Sequence, residues 1–255
     1  MAEIIAICNQ KGGVGKTTTA INLSACLAAA EKRTLLIDID AQANATTGLG
    51  IDKDNIPKTI YDVLMNDSDI ESAILHTPLE YLKMIPSSGD LVGAEVELVS
   101  VLAREKRLKN SLEKINDDFD YIIIDCPPSL GIVTLNALTA ANSVLIPVQC
   151  EFYAMEGMVS LHKTIEVVRD CLNPDLKVKG IVLTMHDKRN NLSAQVIDNI
   201  REYFKNKVFQ VIIPRNVRLS EAPSHGKPII LYDVNSKGAS AYLTLAQEVL
   251  MNSTS

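Results

Sequence analysis

Short runs of β-branched and other aliphatic residues alternate along the chain with longer stretches in which apolar residues recur at helical spacing. This alternation is typical of an α/β fold, with a mostly parallel, twisted sheet flanked by helices on both faces. Several of the short runs are almost continuously apolar, as expected of strands that are buried on both faces. The pattern predicts strands at residues 3–8, 34–38, 81–86, 121–125, 143–149, 179–185 and 208–213.

The helical stretches lie between these strands and after the last one. They are predicted at residues 16–30, 93–114, 132–141, 155–172, 192–205 and 239–251. No internal repeat or Pro/Gly-rich linker divides the chain, so residues 1–255 are expected to form a single domain with a disordered tail at 252–255. No uncharged apolar run of about eighteen residues and no basic leader occurs, which predicts a cytoplasmic protein.

Charge is distributed unevenly along the chain. The formal net charge is -6, which by itself disfavours binding to nucleic acid. Residues 176–237, however, contain eleven Lys and Arg against five Asp and Glu, a net charge of +6, so the remainder carries -12. Such a segment is either a solvated surface or a binding site for a polyanion, and charge alone leaves both open.

The most specific motif follows the first predicted strand and precedes the first predicted helix. Residues 9–18 read NQKGGVGKTT, and this order of strand, loop and helix is the context in which a P-loop binds phosphate. Glycines let backbone N–H groups approach phosphate oxygens, and the helix N-terminus favours the same anion. Lys16 is expected to reach the β- and γ-phosphates, and Thr17 to coordinate Mg²⁺. The predicted nucleotide-binding residues of this loop are Lys11, Gly12, Gly13, Val14, Gly15, Lys16, Thr17 and Thr18.

The loop departs from the common P-loop pattern at its start. Gln10 occupies the position of the first glycine, and Lys11 adds a second lysine to the loop that contains Lys16. Two lysines in one tight loop repel each other. Lys11 therefore either binds a large negative charge together with Lys16 or points away from the loop.

Two predicted strands end in aspartates. Residues 35–40 read LLIDID and residues 121–125 read YIIID, and α/β proteins place their ligands at such strand ends. Alternation puts Asp38 and Asp40 on one side of the chain, so one would support the Mg²⁺ shell while the other orients the attacking water. Asp125 would hold Mg²⁺ through water. Strand-terminal aspartates also cap helices, and that alternative stays open for each acid taken alone.

Together these motifs resemble the deviant Walker A ATPases of the ParA/MinD superfamily, and most closely its Soj-type ParA members, which partition chromosomes. The similarity extends over nearly the whole chain, including IIPRNVRLSEAPSHGKP at residues 212–228. It implies a P-loop NTPase fold, ATP and Mg²⁺ as cofactors and weak intrinsic ATPase activity. It also implies that Lys11 acts on the nucleotide of a second subunit in an ATP-dependent homodimer, that Asp40 activates the water and that Asp38 supports Mg²⁺. The family's usual proline after Asp40 is Ala41 here, which would loosen the loop.

A base-binding segment also follows from the resemblance. The Asn-Lys-x-Asp pattern of guanine-binding proteins is absent from the sequence, which favours ATP over GTP. In the family a Pro-Arg-Asn segment after a late strand borders the adenine, and Pro214 and Asn216 occupy the matching positions.

The basic segment gains a specific interpretation from the same family. Arg189 and Arg218 fall where Soj-type proteins place arginines that contact double-stranded DNA, and Lys227 and Lys237 are added from charge alone. Such contacts would be made to phosphate, without reading sequence, and would be strongly salt-dependent. Dimerisation would bring together two copies of this basic patch, each of which binds DNA weakly by itself. The family's usual partner, a ParB-type centromere-binding protein, would stimulate hydrolysis and reset the dimer on the nucleoid.

Two other functions compete with this one. A reductase ATPase of the nitrogenase iron-protein kind needs cysteines that share an iron–sulfur cluster across a dimer, and the five cysteines here are widely spaced without a CxxC pair. A membrane-associated positioning ATPase of the MinD kind needs a basic amphipathic helix at its C-terminus. Residues 239–251 contain one acid and no base, so we expect no membrane partner.

Overall fold

A computed structural model describes residues 1–66, 68–151, 154–187, 189 and 191–252, and within them one β-sheet runs through the centre of the protein. Its strands are β1 (Glu3–Ile7), β2 (Thr34–Asp38), β3 (Leu75–His76), β4 (Leu82–Ile85), β5 (Tyr121–Asp125), β6 (Ser143–Gln149), β7 (Lys177–His186) and β8 (Val208–Pro214). They lie in the order β3-β4-β2-β5-β1-β6-β7-β8. Neighbouring strands are parallel except β3 and β4, which are antiparallel. The mostly parallel α/β fold is therefore confirmed, with β3 as an unpredicted edge strand.

Helices connect the strands and cover the sheet. They are α1 (Lys16–Ala29), α2 (Asn44–Gly48), α3 (Ile60–Met65), α4 (Leu91–Glu97), α5 (Arg107–Leu112), α6 (Ile132–Ala140), α7 (Ala154–Cys171), α8 (Asn191–Phe204), α9 (Val217–Glu221), α10 (Ile229–Tyr232) and α11 (Lys237–Asn252). The predictions for α1, α6, α7, α8 and α11 are confirmed to within two residues at each end. The short helices α2, α3, α9 and α10 were not predicted.

The predicted helix at residues 93–114 is wrong as a single element. Two short 3₁₀ turns separate α4 from α5. Between those turns Val101 is extended, with φ -88° and ψ 132°, and Ala103 is left-handed, with φ 52°. The side chain of Leu102 is 93% exposed. Because burial of an apolar face provides most of the stability of a helix in a protein, this exposed stretch has little to keep it helical.

Hydrophobic side chains fill two layers, one on each face of the sheet. Along β5, Ile122 and Ile124 belong to one layer, whereas Tyr121 and Ile123 belong to the other. Residues of α3, α6, α7 and α8 complete the first layer, and residues of α1 and α11 complete the second. Both faces of the central strands are thus buried, which explains why those strands are apolar throughout.

The last helix, α11, differs from its prediction at the C-terminal end. Asn252 is the final residue of the helix rather than the start of a disordered tail, and residues 253–255 lie outside the described part of the chain. Leu245 and Val249 are fully buried, and α11 packs on α1 and β8, so burial holds the helix against the core as far as Val249. Among the described helices, none combines the length and the hydropathy that a membrane span requires.

The register of the central strands determines where the motif residues meet. Ile7 of β1 and Asp38 of β2 both pair with Asp125 of β5. Because these strands are parallel, the glycine loop after β1 and the acids that end β2 and β5 lie at one edge of the sheet. The carboxyl edge of the sheet therefore carries the candidate site.

Candidate active site

The glycine loop between β1 and α1 presents its backbone to open space. Gly13 and Gly15 have φ 73° and 88°, in the left-handed region that glycine adopts without strain. A Cβ placed on Gly12 or Gly13 would meet no atom of the described residues within 4 Å, so a ligand can approach this backbone closely. Gly15 begins α1 without a side-chain cap from the described residues, which leaves first-turn N–H groups for an anion.

Lys16 lies at the start of α1 and is only 7% exposed. Its Nζ is 3.4 Å from the carbonyl oxygen of Lys11. Burial lowers the pKa of Lys16, while the nearby Asp125 acts in the opposite direction. A buried ammonium of this kind is stabilised by an anion that binds against the loop.

Asp125 is the least satisfied polar group of the site. Its side chain is fully buried, and neither carboxylate oxygen has a hydrogen-bond partner in the described part of the structure. Burial, and then the charge of Asp38, raise the pKa of Asp125 well above its usual range. Thr17 and Lys16 are near enough to oppose this rise, although the Thr17 hydroxyl does not complete a hydrogen bond. A cation beside this group would stabilise its charged form, and its place next to the glycine loop suits a divalent metal.

Asp38 is also fully buried, but its oxygens are occupied. Oδ2 accepts hydrogen bonds from the Thr46 backbone N–H at 2.9 Å and from the Thr46 hydroxyl at 2.8 Å. Oδ1 accepts one from the Asp40 backbone N–H at 3.1 Å. Burial raises the pKa of Asp38 to about 6, although the bonds from Thr46 lower it. Through these bonds Asp38 fixes the backbone of the segment that carries Asp40.

A cavity of about 560 Å³ joins the predicted phosphate and water-activating residues. Asp40 opens into it from the end of β2, and its Oδ1 accepts a hydrogen bond from the Gln42 backbone N–H at 3.0 Å. Because the Asp40 carboxylate keeps part of its surface exposed, it remains available to a water in the cavity. The cavity is lined by Gly12, Gly13, Gly15, Lys16, Thr17, Thr18, Asp40, Gln42, Asn44, Pro128, Ser129 and Met185.

Lys11 contacts a residue that the sequence did not predict. Its Nζ pairs with Glu151 Oε2 at 3.0 Å, and both side chains are partly exposed. Gln149 donates a side-chain hydrogen bond to the same carboxylate. Asn9 fixes the loop below, because its Oδ1 accepts from the Lys11 backbone N–H and its Nδ2 donates to the Pro147 carbonyl. In the single chain, Lys11 is therefore held at the end of β6.

A second cavity, of about 610 Å³, adjoins the first and shares Gly15, Thr18 and Met185 with it. The predicted base-binding residues Pro214 and Asn216 both line it. Because the two cavities share P-loop residues, they lie side by side, at a spacing that suits a ligand with its phosphates in one and its base in the other.

The predicted DNA-binding residues lie after β7 and β8 or at the start of α11. Arg189 is 88% exposed and pairs with Asp187 at 2.7 Å, which holds the pKa of that carboxyl well below its usual range. Arg218 pairs with Glu221 at 2.9 Å and with Asp233 at 3.5 Å. Lys227 and Lys237 are exposed. Both arginines thus lie at the surface, but each already forms ion pairs with carboxylates of its own chain.

A larger cleft, of about 930 Å³, opens at the amino-terminal edge of the sheet. Its lining includes Lys177, Lys179, Glu3 and Asp175. It contains none of the predicted site residues, and its side chains carry both signs of charge, so it shows no preference for one class of ligand.

Sequence reasoning missed several residues that the structure brings into the site, among them Gln42, Asn44, Glu151 and Met185. Gln42 and Asn44 line the phosphate cavity, and their signal was available because they are polar residues directly after Asp40. Glu151 follows β6 and Met185 lies in β7, and nothing in the sequence pattern connects them to the glycine loop.

Known proteins resemble this chain over nearly its full length. A family model described as an AAA domain matches residues 2–178. The chromosome partitioning protein ParA of Myxococcus xanthus (strain DK1622) is 59% identical over 254 residues, which is 100% of this chain and 90% of that protein. The sporulation initiation inhibitor protein Soj of Bacillus subtilis (strain 168) is 58% identical over 252 residues, which is 99% of this chain and 100% of that protein.

Solved structures show the same fold. A Mycobacterium smegmatis protein described as cobyrinic acid a,c-diamide synthase, with bound ATP analogue and magnesium, has a TM-score of 0.88 at 38% identity, covering 100% of this chain and 97% of that one. The cell division ATPase MinD of Pyrococcus furiosus has a TM-score of 0.81 at 27% identity, covering 98% and 99%. The glycine loop, the acids and these relatives agree, and the chain belongs to the ParA/Soj family of chromosome-partitioning ATPases within the AAA-domain proteins.

Proposed function

We propose that this protein is an ATP-driven partitioning ATPase, which hydrolyses ATP to ADP and phosphate at a low intrinsic rate. ATP and Mg²⁺ are its cofactors, as the related structure with bound ATP analogue and magnesium supports. The observation that carries the proposal is the position of Asp125, whose buried oxygens have no partner among the described residues. This carboxylate lies beside an open glycine loop. The two together fit a divalent metal bound with a triphosphate.

Each residue has a role that its position supports. Lys16 brings a buried positive charge to the β- and γ-phosphates. Thr17 and Asp125 would hold Mg²⁺, which when bound neutralises charge on the phosphate oxygens. Asp40 orients the attacking water and accepts its proton from within the cavity. Asp38 supports the metal shell indirectly, because the hydrogen bond that it accepts fixes the Asp40 backbone.

Lys11 acts on the nucleotide of a second subunit. Its pair with Glu151 is partly exposed on both sides, and exposed pairs contribute only about 0–1 kcal/mol. A triphosphate presented by another subunit carries several negative charges and would displace Glu151. This exchange would take place in an ATP-dependent homodimer with each nucleotide between two subunits.

The dimer binds double-stranded DNA without reading its sequence, through Arg189, Arg218, Lys227 and Lys237. A ParB-type centromere-binding protein stimulates hydrolysis and returns the dimer to monomers. Residues 1–255 act as one ATPase domain in the cytoplasm, associated with the nucleoid. The relatives named ParA and Soj support this assignment.

Sedimentation velocity tests the proposal. The parent protein and Asp40→Ala are compared with and without Mg-ATP, and with and without DNA. We expect a nucleotide-dependent dimer from both proteins. The dimer should persist with Asp40→Ala, because loss of a general base lowers turnover by about 100-fold or more while leaving the binding residues in place.

Asp118→Ala is the matched control, because Asp118 is an exposed aspartate at the opposite edge of the sheet. It should behave as the parent does in every condition. A parent protein that takes up no ATP, or that takes it up and stays monomeric at all concentrations, would refute the proposed function.

A further inference from the structure

Met185 has an unusual backbone at the end of β7. The pairing of β7 with β8 shifts between Leu183 and His186, so one strand carries an extra residue there and forms a bulge. Met185 lies in that bulge with φ 53°. Of the described non-glycine residues with positive φ, it is the one that lies inside a strand. Residues other than glycine adopt this backbone conformation at an energetic cost. Such strain is often found where the side chain serves a function.

The bulge is attached to the phosphate loop. The Thr184 hydroxyl donates a hydrogen bond of 2.8 Å to the Val14 carbonyl, and both residues are buried. The Cys150 backbone N–H donates to the Thr184 carbonyl at 3.3 Å. These bonds bring Met185 next to the loop, and its Cε lies 3.9 Å from the position that a Cβ on Gly15 would take.

The Met185 side chain stands between the two cavities. It lines the cavity that contains Asp40 and also the cavity that contains Pro214 and Asn216. It is 36% exposed, so most of it contacts protein and the rest faces the open space. A nucleotide that fills both cavities must pass this side chain where its phosphates join its nucleoside.

We propose that Met185 is a positioning residue for the nucleotide, and that its thioether forms the apolar wall against which the nucleoside packs. This inference rests on the ATP site of the proposed function. Glycine or asparagine would adopt the left-handed backbone at lower cost, but neither supplies a long apolar side chain. Methionine is flexible and polarizable, which suits contact with a sugar and an aromatic base.

Calorimetric titration of three variants tests the inference, with Mg-ATP and Mg-tripolyphosphate as ligands. Met185→Ala and Met185→Gly should each bind Mg-ATP about tenfold more weakly, a change of roughly 1.4 kcal/mol. Met185→Leu keeps an apolar side chain and should stay within about threefold of the parent, which is roughly 0.6 kcal/mol. Binding of Mg-tripolyphosphate should not change in any variant, because that ligand has no nucleoside.

Thermal unfolding without ligand provides the second readout. Glycine normally lowers stability relative to alanine, but here Met185→Gly should unfold at the same temperature as Met185→Ala or higher, because it removes the backbone cost. The inference is overturned if Met185→Ala binds Mg-ATP as the parent does. It is also overturned if both ligands weaken equally, since Met185 would then act on the loop rather than the nucleoside. A parent that binds neither ligand would instead refute the proposed function itself.

Discussion

Thr46 connects the acids of β2 to the end of β4. Its hydroxyl donates to Asp38 Oδ2 and accepts a hydrogen bond from the Ser87 backbone N–H at 3.0 Å. All three residues are fully buried. A single hydroxyl therefore satisfies a buried carboxylate and a buried amide, and through Asp38 it also steadies the segment that contains Asp40.

Removal of this hydroxyl should destabilise the protein out of proportion to its size. Thr46→Val keeps the shape of the side chain but removes one of the three hydrogen bonds to Asp38 and the hydroxyl that accepts from the Ser87 backbone N–H. We therefore expect the free energy of unfolding to fall by about 3 kcal/mol. Thr46→Ser keeps the hydroxyl and loses one methyl group, which should cost about 1 kcal/mol. Urea unfolding of both variants measures the difference. Equal stability of the two would show that the hydroxyl bonds do not matter.

At the scale of elements, two glycines let two backbone segments pack closely together. Gly50 follows α2 and Gly226 follows the 3₁₀ turn Ala222–His225, and both have positive φ. A Cβ on Gly226 would lie 2.5 Å from the Cα of Gly50. This contact joins the segment after Asp40 to the segment after Arg218.

Alanine at Gly226 should therefore be strongly destabilising. The new methyl group would meet backbone rather than a side chain that can turn away, and it would also sit on a left-handed residue. We expect Gly226→Ala to lower the free energy of unfolding by more than about 3 kcal/mol. Gly89→Ala is the control, because a Cβ there meets no described atom within 4 Å, and its effect should stay within about 0.5 kcal/mol. Thermal unfolding of the two variants measures this difference, and equal stability of the two would contradict the prediction.

The elements that the sequence predicted well are long or strongly apolar. A 14-residue helix such as α1, or a buried strand such as β5, repeats its pattern often enough to be recognised. The four-residue helix α10 has no such period, and its start is fixed by a distant contact in which the Ile229 backbone N–H donates to Asn22 Oδ1 at 2.7 Å. Such elements depend on tertiary structure, which explains why α10 and α9 were missed.

The residues of the candidate site also differ in how far the sequence predicts them. The meeting of the glycine loop, Asp38, Asp40 and Asp125 at one edge could be predicted, because each lies at or just after the end of a recognisable strand and parallel strands place their carboxyl ends together. Glu151 could not, since its contact with Lys11 joins residues 140 positions apart. The bulge of β7 was equally invisible, because alternation along a strand assumes that no extra residue is inserted.

At the scale of the whole molecule, nearby carboxylates weaken the attraction of the proposed DNA-binding arginines for phosphate. Asp187 neutralises Arg189, and Glu221 and Asp233 neutralise Arg218. A phosphate must compete with these carboxylates, so each arginine binds phosphate more weakly than an unpaired arginine would. The net charge of -6 repels DNA as well. We therefore expect a single subunit to bind DNA weakly, and we expect retention to require two patches in an ATP-dependent dimer.

Neutralising both arginines should abolish this retention. We expect Arg189→Ala with Arg218→Ala to lose ATP-dependent binding to a DNA-coated surface at about 0.1 M salt, and to show a shallower dependence of affinity on salt, by about one unit for each phosphate that is no longer neutralised. Arg33→Ala is the matched control, because Arg33 also pairs with a carboxylate, Asp120 at 2.8 Å, but lies at the amino-terminal edge of the sheet. Sedimentation should show the ATP-dependent dimer intact in both variants, so that the weaker retention is assigned to the DNA-binding surface. Unchanged retention in the double variant would exclude these arginines from that surface.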